Sequence, residues 1–380
     1  MLGNTFGRLF RITTVGESYG IGEGSGLSVI VDGVPPGLRL TDEFIQKEMD
    51  KRIPGVGQLN SPRQETDQCR IFAGVGQDGV TTGAPVGIIV YNVDTQQIHI
   101  DQYREYKDLC RPGHATFCFY KKYGQYQDWC GAGRSSGRET VGRVAGGAVA
   151  KYILAQEGVE LIAYTVQCMG IKAKDMTFEE ARKNYGKNEI NCPDLEAAEK
   201  MTKKVLEIKD GGDTAGGIIE LRIKGVPAGL GEPVFDKLSA LLGHAILSIG
   251  AVKGIEFGAG FKVGDIKGSE NNDQFTKRDG KITFKTNNAG GLLGGISTGE
   301  EIVVKIAVKP TPTISIKQDS VNMQKLEIEE LSPITRRDPT LVGRHYAVIE
   351  AMAAITVVDA LMMARGYDHV CSIENKWREI

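Results

Sequence analysis

The chain has 380 residues, 41% hydrophobic and 25% charged, enough to bury a sizeable core in one large or two modest domains. With 46 basic against 48 acidic side chains the net charge is −2, which excludes a whole-protein field that would hold nucleic acid or an anionic membrane. Seven cysteines without a Cys-x-x-Cys pair, an opening segment without a charged-then-apolar leader, and no apolar run read as a membrane span predict a cytoplasmic protein with no metal site.

The composition is unusual in its 49 glycines beside only 13 prolines. They gather at 16–26, 74–87, 131–147, 211–217, 250–268 and 290–299. Such clusters predict backbone loops that approach something closely, because glycine alone removes the Cβ and permits positive φ at little cost.

In chain order, Thr13-Thr-Val-Gly-Glu-Ser-Tyr-Gly20 sets a carboxylate, a hydroxyl and a phenol between glycines, and Leu27–Val31 is of strand type. Thr41 with Asp42 and Glu43 reads as a capped helix start before Phe44, Ile45 and Met49. Gly74-Val-Gly-Gln-Asp-Gly79 is a literal GxGxxG, but Val80-Thr-Thr-Gly-Ala-Pro85 follows and cannot continue as a helix, so a dinucleotide fingerprint is rejected. A strand at Val86–Tyr91 comes next. Arg111-Pro-Gly-His114 then places a histidine in a tight turn beside an arginine, either a proton donor next to a bound anion or a structural histidine.

Gly131-Ala-Gly-Arg-Ser-Ser-Gly-Arg-Glu-Thr140 runs into a small-residue helix read over Glu139–Gln156. Its backbone N–H groups, hydroxyls and two arginines suit an anion cradle as well as an ordinary surface loop. The stretch 172–209 is charged and helix-prone and predicts a solvated peripheral insertion. Strands are read at Ile218–Ile223 and Ile302–Val308, and helices at Val234–Ile249 and Val348–Arg365. Between them lie the glycine run 287–299 and Lys309-Pro-Thr-Pro-Thr313, then Arg336-Arg-Asp-Pro339 with Arg344 beyond.

Val29-Ile-Val-Asp-Gly-Val-Pro-Pro-Gly-Leu38 is echoed by Leu221-Arg-Ile-Lys-Gly-Val-Pro-Ala-Gly-Leu230. In both a strand enters Gly-Val-Pro-x-Gly-Leu before a helix, which predicts two related halves with repeat units near 26–50 and 217–249; coincidence of common turn residues is the alternative. Arginine- and glycine-rich loops with hydroxyls and few ionisable catalysts suit a small phosphorylated, carboxylated molecule better than a peptide or polynucleotide.

In order and spacing these segments resemble chorismate synthase. The likeness covers nearly the whole chain: Gly3 to Gly7, Thr13 to Gly20, Asp32 to Gly37, Thr81 to Gly83, Arg111 to His114, Gly133 to Thr140, Gly225 to Phe235, Ala251 to Gly254, Asn288 to Gly299, Lys309 to Thr311, Arg337 to Pro339 and Glu350 to Met352. It implies an α/β (α+β) fold, an internally duplicated sheet-and-helix sandwich core in a single domain over 1–380, assembled as a homotetramer. It also implies a lyase that turns 5-enolpyruvylshikimate 3-phosphate into chorismate and phosphate by 1,4-anti elimination, dependent on reduced FMN, in aromatic amino acid biosynthesis.

Carried over position by position, the resemblance gives flavin contacts to Arg134, Ser135, Ser136, Gly250, Ala251, Gly294, Lys309, Pro310, Thr311, Pro312, Thr313 and Arg336. Arg52, Arg138 and Arg344 would hold the substrate's phosphate and carboxylates, with Ser18 nearby. His114 takes the place of a histidine that protonates reduced flavin, and Asp338 that of an aspartate assisting proton removal at flavin N5.

The chain departs from the family pattern at Tyr19, where Gly-Glu-Ser-His-Gly carries the histidine that meets the leaving phosphate. An imidazole with a reference pKa of about 6.5 can carry a proton near neutrality, whereas a phenol near 10 only donates a hydrogen bond. Losing general acid help outright puts on the order of 10²- to 10⁴-fold in rate at stake. Thr116 replaces an aspartate, Gly137 an alanine, Arg337 a histidine, and Ile53 and Gln58 stand where arginines are common. Gln58 removes a cation from a loop associated with nicotinamide contact, so an external flavin reductase is expected, with NADPH entering only indirectly. The main alternative is an FMN- and anion-binding relative whose elimination is weak or lost through Tyr19; a phosphotransferase or nucleotide-binding protein is a third reading.

Overall fold

The computed structural model describes residues 3–21, 24–53, 57–59, 66–93, 97–331 and 338–367. The N-terminal half contributes β1 (Thr5–Phe6), β2 (Arg11–Gly16), β3 (Gly26–Asp32), helix α1 (Asp42–Asp50), β4 (Cys69–Ala73), β5 (Val86–Tyr91), α2 (Gln97–Tyr106), α3 (Thr116–Tyr123) and α4 (Thr140–Gln156). After it come β6 (Glu160–Cys168), β7 (Ile171–Lys172), α5 (Phe178–Asn184), α6 (Leu195–Asp210), β8 (Gly217–Lys224), α7 (Leu238–Leu247), β9 (Val252–Phe257) and α8 (Gly268–Asn271). Hairpins β10 (Phe275–Arg278) with β11 (Lys281–Phe284) and β12 (Leu292–Leu293) with β13 (Ile296–Ser297) precede β14 (Ile302–Val308). A third hairpin, β15 (Gln318–Val321) with β16 (Ile328–Leu331), leads towards α9 (Val342–Tyr367).

Two five-stranded antiparallel sheets result, ordered β1-β2-β3-β5-β4 and β7-β6-β8-β14-β9. Each buries one face because its apolar residues alternate: Leu27, Val29 and Val31 in β3, and Ile302, Val304, Ile306 and Val308 in β14, point inward. Helix α4 covers the first sheet, α9 covers the second, and the two helices pack on each other, so the core is a sheet–helix–helix–sheet stack. Apart from the two-residue edge strands β1 and β7, the sheets run β2-β3-β5-β4 and β6-β8-β14-β9, and each Gly-Val-Pro-x-Gly-Leu turn directly follows β3 or β8.

The four strands read from the sequence lie within β3, β5, β8 and β14, and the expected Thr41 cap is present, its hydroxyl accepting from Phe44 N at 3.3 Å. Two helix starts differ. The pattern suggests a helix from Val234, but Glu232 N donates to Asp236 O and closes a tight turn, so α7 begins at Leu238. Helix α9 starts at Val342, six residues before the apolar pattern, because its first turn carries Arg344 and His345, which serve tertiary contacts. The GxGxxG segment is a turn, as its sequel required.

Among the described residues α9 is long and apolar enough to cross a membrane, although no such run was expected from the sequence; 83% of its apolar window is buried between the sheets. The 172–209 stretch forms α5 and α6, and α6 buries Ala197, Ala198, Met201 and Val205 beneath its charged face.

Candidate active site

Three arginines from distant parts of the chain converge at the edge of the helix layer. Arg52, just after α1, and Arg138, in the 3-10 turn before α4, each pair with one oxygen of Asp67. Arg52 Nε also donates to Thr140 Oγ1 at 3.3 Å, and Arg138 Nε to Asn92 Oδ1 at 3.0 Å. Arg344, in the first turn of α9, pairs with Asp338, and its charge acts on Arg52. Burial, partly offset by Asp67 and reinforced by Arg138 and Arg344, lowers the Arg52 pKa from its ordinary value. Arginine remains charged, so three guanidiniums face two carboxylates in a region able to take further anionic charge.

Asn92 ties this cluster to the turn after β2. Its Nδ2 donates to Glu17 O at 2.9 Å and Ser25 Oγ at 3.0 Å, while Ser25 Oγ donates to Tyr19 O at 2.9 Å. Ser18 is 1% exposed and its Oγ has no hydrogen-bond partner among the described residues. Tyr19 is 3% exposed and packs edge-on against Tyr103 with ring centroids 5.5 Å apart. Gly131, at φ 61°, must be glycine here, since a Cβ would stand 2.5 Å from the Tyr19 ring.

Tyr19, His114, Ser135 and Thr313 line one cavity together with Tyr103 of α2 and Trp129. His114 follows the tight Arg111 turn, and Thr116 donates to its Nδ1 from N at 3.2 Å. Burial first, then Arg111 and Lys309, push the His114 pKa down to about 3, so the imidazole is neutral near pH 7. An anionic ligand beside it would shift it back upward.

The 309–313 strap joins this turn to the arginines. Lys309 Nζ donates to Gly113 O at 3.1 Å and Pro310 O at 3.3 Å, Pro312 packs on Gly113, and Thr311 Oγ1 donates to Asp338 O at 2.7 Å. Lys309 N donates to Ala251 O at 2.9 Å, with Ala251 at φ 70°, and His345 Nε2 bonds to Gly250 O at 2.9 Å. Contacts therefore run from the cavity through the strap to Asp338 and Arg344, whose charge reaches Arg52, and from the Arg52–Asp67–Arg138 cluster through Asn92 back to Tyr19.

Arg134 has its guanidinium taken up by Gly16 O at 3.0 Å, Thr14 Oγ1 at 2.6 Å and Asn4 Oδ1 at 3.2 Å, so it fastens the glycine loop to β2. Ser135 Oγ donates to Ala132 O, and Ser136 Oγ accepts from Arg138 N. Gly294 sits in the β12–β13 turn, whose Gly295 lies on Lys237, away from the cavity lining. Arg336 and Arg337 lie outside the described residues. Asp67, Asn92 and Tyr103 escaped the sequence reading; a positive φ of 41° at Asp67 has no local signature, and their partners lie far along the chain.

The profile of the family described as chorismate synthase matches residues 10–362. The chain belongs to the chorismate synthase family. It is 53% identical over 391 residues to a chorismate synthase of Acetivibrio thermocellus, covering 99% of each chain, and 48% identical to one of Methanosarcina barkeri, covering 95% of this chain and 97% of that one. A crystal structure of a chorismate synthase superposes with a TM-score of 0.75 at 28% identity, covering 98% of this chain and 97% of the other. The α+β fold is thus that of a chorismate synthase, and the converging loops carry the segments by which the family is recognised.

Proposed function

We propose that this chain is a carbon–oxygen lyase that converts 5-enolpyruvylshikimate 3-phosphate into chorismate and phosphate with reduced FMN. One observation carries the reading: within a member of this family, Arg52, Arg138 and Arg344 form a cluster that Asn92 and Ser25 tie to Tyr19, which with His114 lines a cavity. The buried donors Ser18 Oγ and Arg344 Nε, both without a partner among the described residues, suit a ligand rich in anionic oxygens.

Arg52, Arg138 and Arg344 hold the phosphate and the two carboxylates, and Ser18 donates to one of these oxygens. Tyr19 donates a hydrogen bond to the phosphate as its C–O bond breaks, stabilising the developing charge without transferring its own proton. Flavin would be held by Ser135, Ser136, Gly250, Ala251 and the 309–313 strap, with Arg134 bracing the loop. Reduced FMN, when bound by these residues, would supply the electron density and the hydrogen acceptor that the elimination needs. His114, neutral in the free protein, donates a hydrogen bond towards the flavin ring, and Asp338, oriented by Arg344, assists proton removal.

The same reading makes the protein a cytoplasmic homotetramer supplied with reduced FMN by a separate reductase that uses NADPH. The matching strand orders and repeated turns support descent of the two halves from one duplicated unit. The test is phosphate release and chorismate formation from the substrate under anaerobic conditions with chemically reduced FMN. Turnover is expected; FMN binding without product from either the native chain or Tyr19→His would favour a binding-only relative.

A further inference from the structure

The turn that carries His114 contains a second polar side chain aimed at the same ring. Thr116 N donates to His114 Nδ1 at 3.2 Å, and Thr116 Oγ1 stands 2.7 Å from that nitrogen. A backbone N–H can only donate, so Nδ1 presents its lone pair and the ring hydrogen of the neutral imidazole is on Nε2. Arg111 Nε donates to Thr116 Oγ1 at 3.2 Å, which leaves the hydroxyl hydrogen for Nδ1. Arg111 Nη2 lies 3.0 Å from both ring nitrogens and so does not choose between them; the two Thr116 donors do.

We propose that Thr116 is a positioning residue for His114: its amide and hydroxyl both donate to Nδ1, holding the ring neutral with its hydrogen on Nε2. This rests on the role given to His114 above and specifies it, since the residue then meets a ligand in the cavity as a hydrogen-bond donor and not as a cation. The charges around the ring act in the same direction. Arg111 on its own turn and Lys309 on the strap, with Lys253 behind it, oppose a positive ring. Across the cavity α2 contributes His99 and Tyr103, with Lys107 just beyond its end, and Asp128 is the carboxylate on that lining, its pKa raised by burial.

The test is the ring nitrogen-15 spectrum of the full-length protein carrying labelled histidine, with His114 assigned by loss of its signals in His114→Gln. The native protein and Thr116→Ser should show a protonated Nε2, a bare Nδ1 and no titration between pH 5 and 8. In Thr116→Asp a carboxylate accepts from Nδ1, so that nitrogen should become protonated and the ring should titrate inside this range. A protonated Nδ1 in the native protein, titration between pH 5 and 8, or a Thr116→Asp ring with Nδ1 still bare would each overturn the proposal. Phosphate release is measured on the same samples; a native ring as expected in a protein that releases no phosphate refutes the assigned reaction and leaves the positioning intact.

Discussion

Gly147 of α4 and Ala351 of α9 meet almost backbone to backbone: a Cβ on residue 147 would stand 2.3 Å from the Ala351 Cβ. That contact lets the two central helices cross closely enough for each to cover its own sheet. Gly147→Ala should therefore cost about 1–3 kcal/mol through overpacking. Gly243→Ala in α7, where a Cβ meets nothing within 4 Å, should instead add about 0.5–1 kcal/mol. Urea unfolding of both variants checks the pair, and a Gly147 variant as stable as the parent would contradict the close crossing.

Asp67 holds Arg52 and Arg138 side by side, and it is only 4% exposed. Asp67→Ala leaves two guanidiniums close together without their carboxylate, which should cost about 3–5 kcal/mol. Added phosphate should recover part of the loss, more than it adds to the native protein, because the freed guanidiniums can bind it. Thermal unfolding with and without phosphate measures both effects.

Tyr19 provides a direct probe of the proposed reaction. Tyr19→Phe removes one donor while keeping the ring against Tyr103 and should lower kcat on the order of 10²-fold. Tyr19→His should leave turnover unchanged or raise it, and a large fall would mean the pocket is shaped around the phenol. His114→Ala should reduce kcat by about 10²-fold or more with little change in substrate affinity. Single-turnover phosphate release separates these effects from binding.

Stability should fall in acid through a buried network outside the site. Lys151 bridges Glu48 at 2.6 Å and Glu350 at 2.5 Å, between α1, α4 and α9. At Glu48 burial alone would raise the pKa, but Lys151 and Lys51 outweigh it and hold it below the ordinary 4.5. Its stabilisation is therefore present above about pH 4.5 and lost as pH falls through the lowered value. The Lys151 pKa is raised: burial opposes its charge, but Glu350 and Glu48 outweigh that cost, so its share is present below 10.5 and lost only above it. The urea midpoint should drop below about pH 4.5, and Glu48→Gln should flatten that acid limb; an acid limb unchanged in Glu48→Gln would exclude the network as its cause.

Much of the fold was legible because its signals are local. Alternation in β3 and β14, the Thr41 cap and the small-residue run of α4 are each dictated within a few residues. The two Gly-Val-Pro-x-Gly-Leu turns marked where each sheet turns towards its helix. The candidate anion-binding loops were also marked locally, as arginines set among glycines and hydroxyls. By contrast, the starts of α7 and α9 were misjudged, since one depends on the Glu232–Asp236 turn and the other on what Arg344 and His345 reach.

By itself, then, the sequence determined the elements, the α+β class and which loops could bind an anion, because periodicity, caps and glycine act over a turn or a strand. Only the tertiary structure decided which arginines serve a site and which serve the scaffold. Arg134 and Arg138 lie four residues apart in one motif, yet the first is spent on the backbone of β2 and the second joins Asp67 and Arg52. Their difference is fixed by partners more than 70 positions away, and ion pairs and hydrogen bonds fall off too steeply with distance to be assigned before the chain is folded.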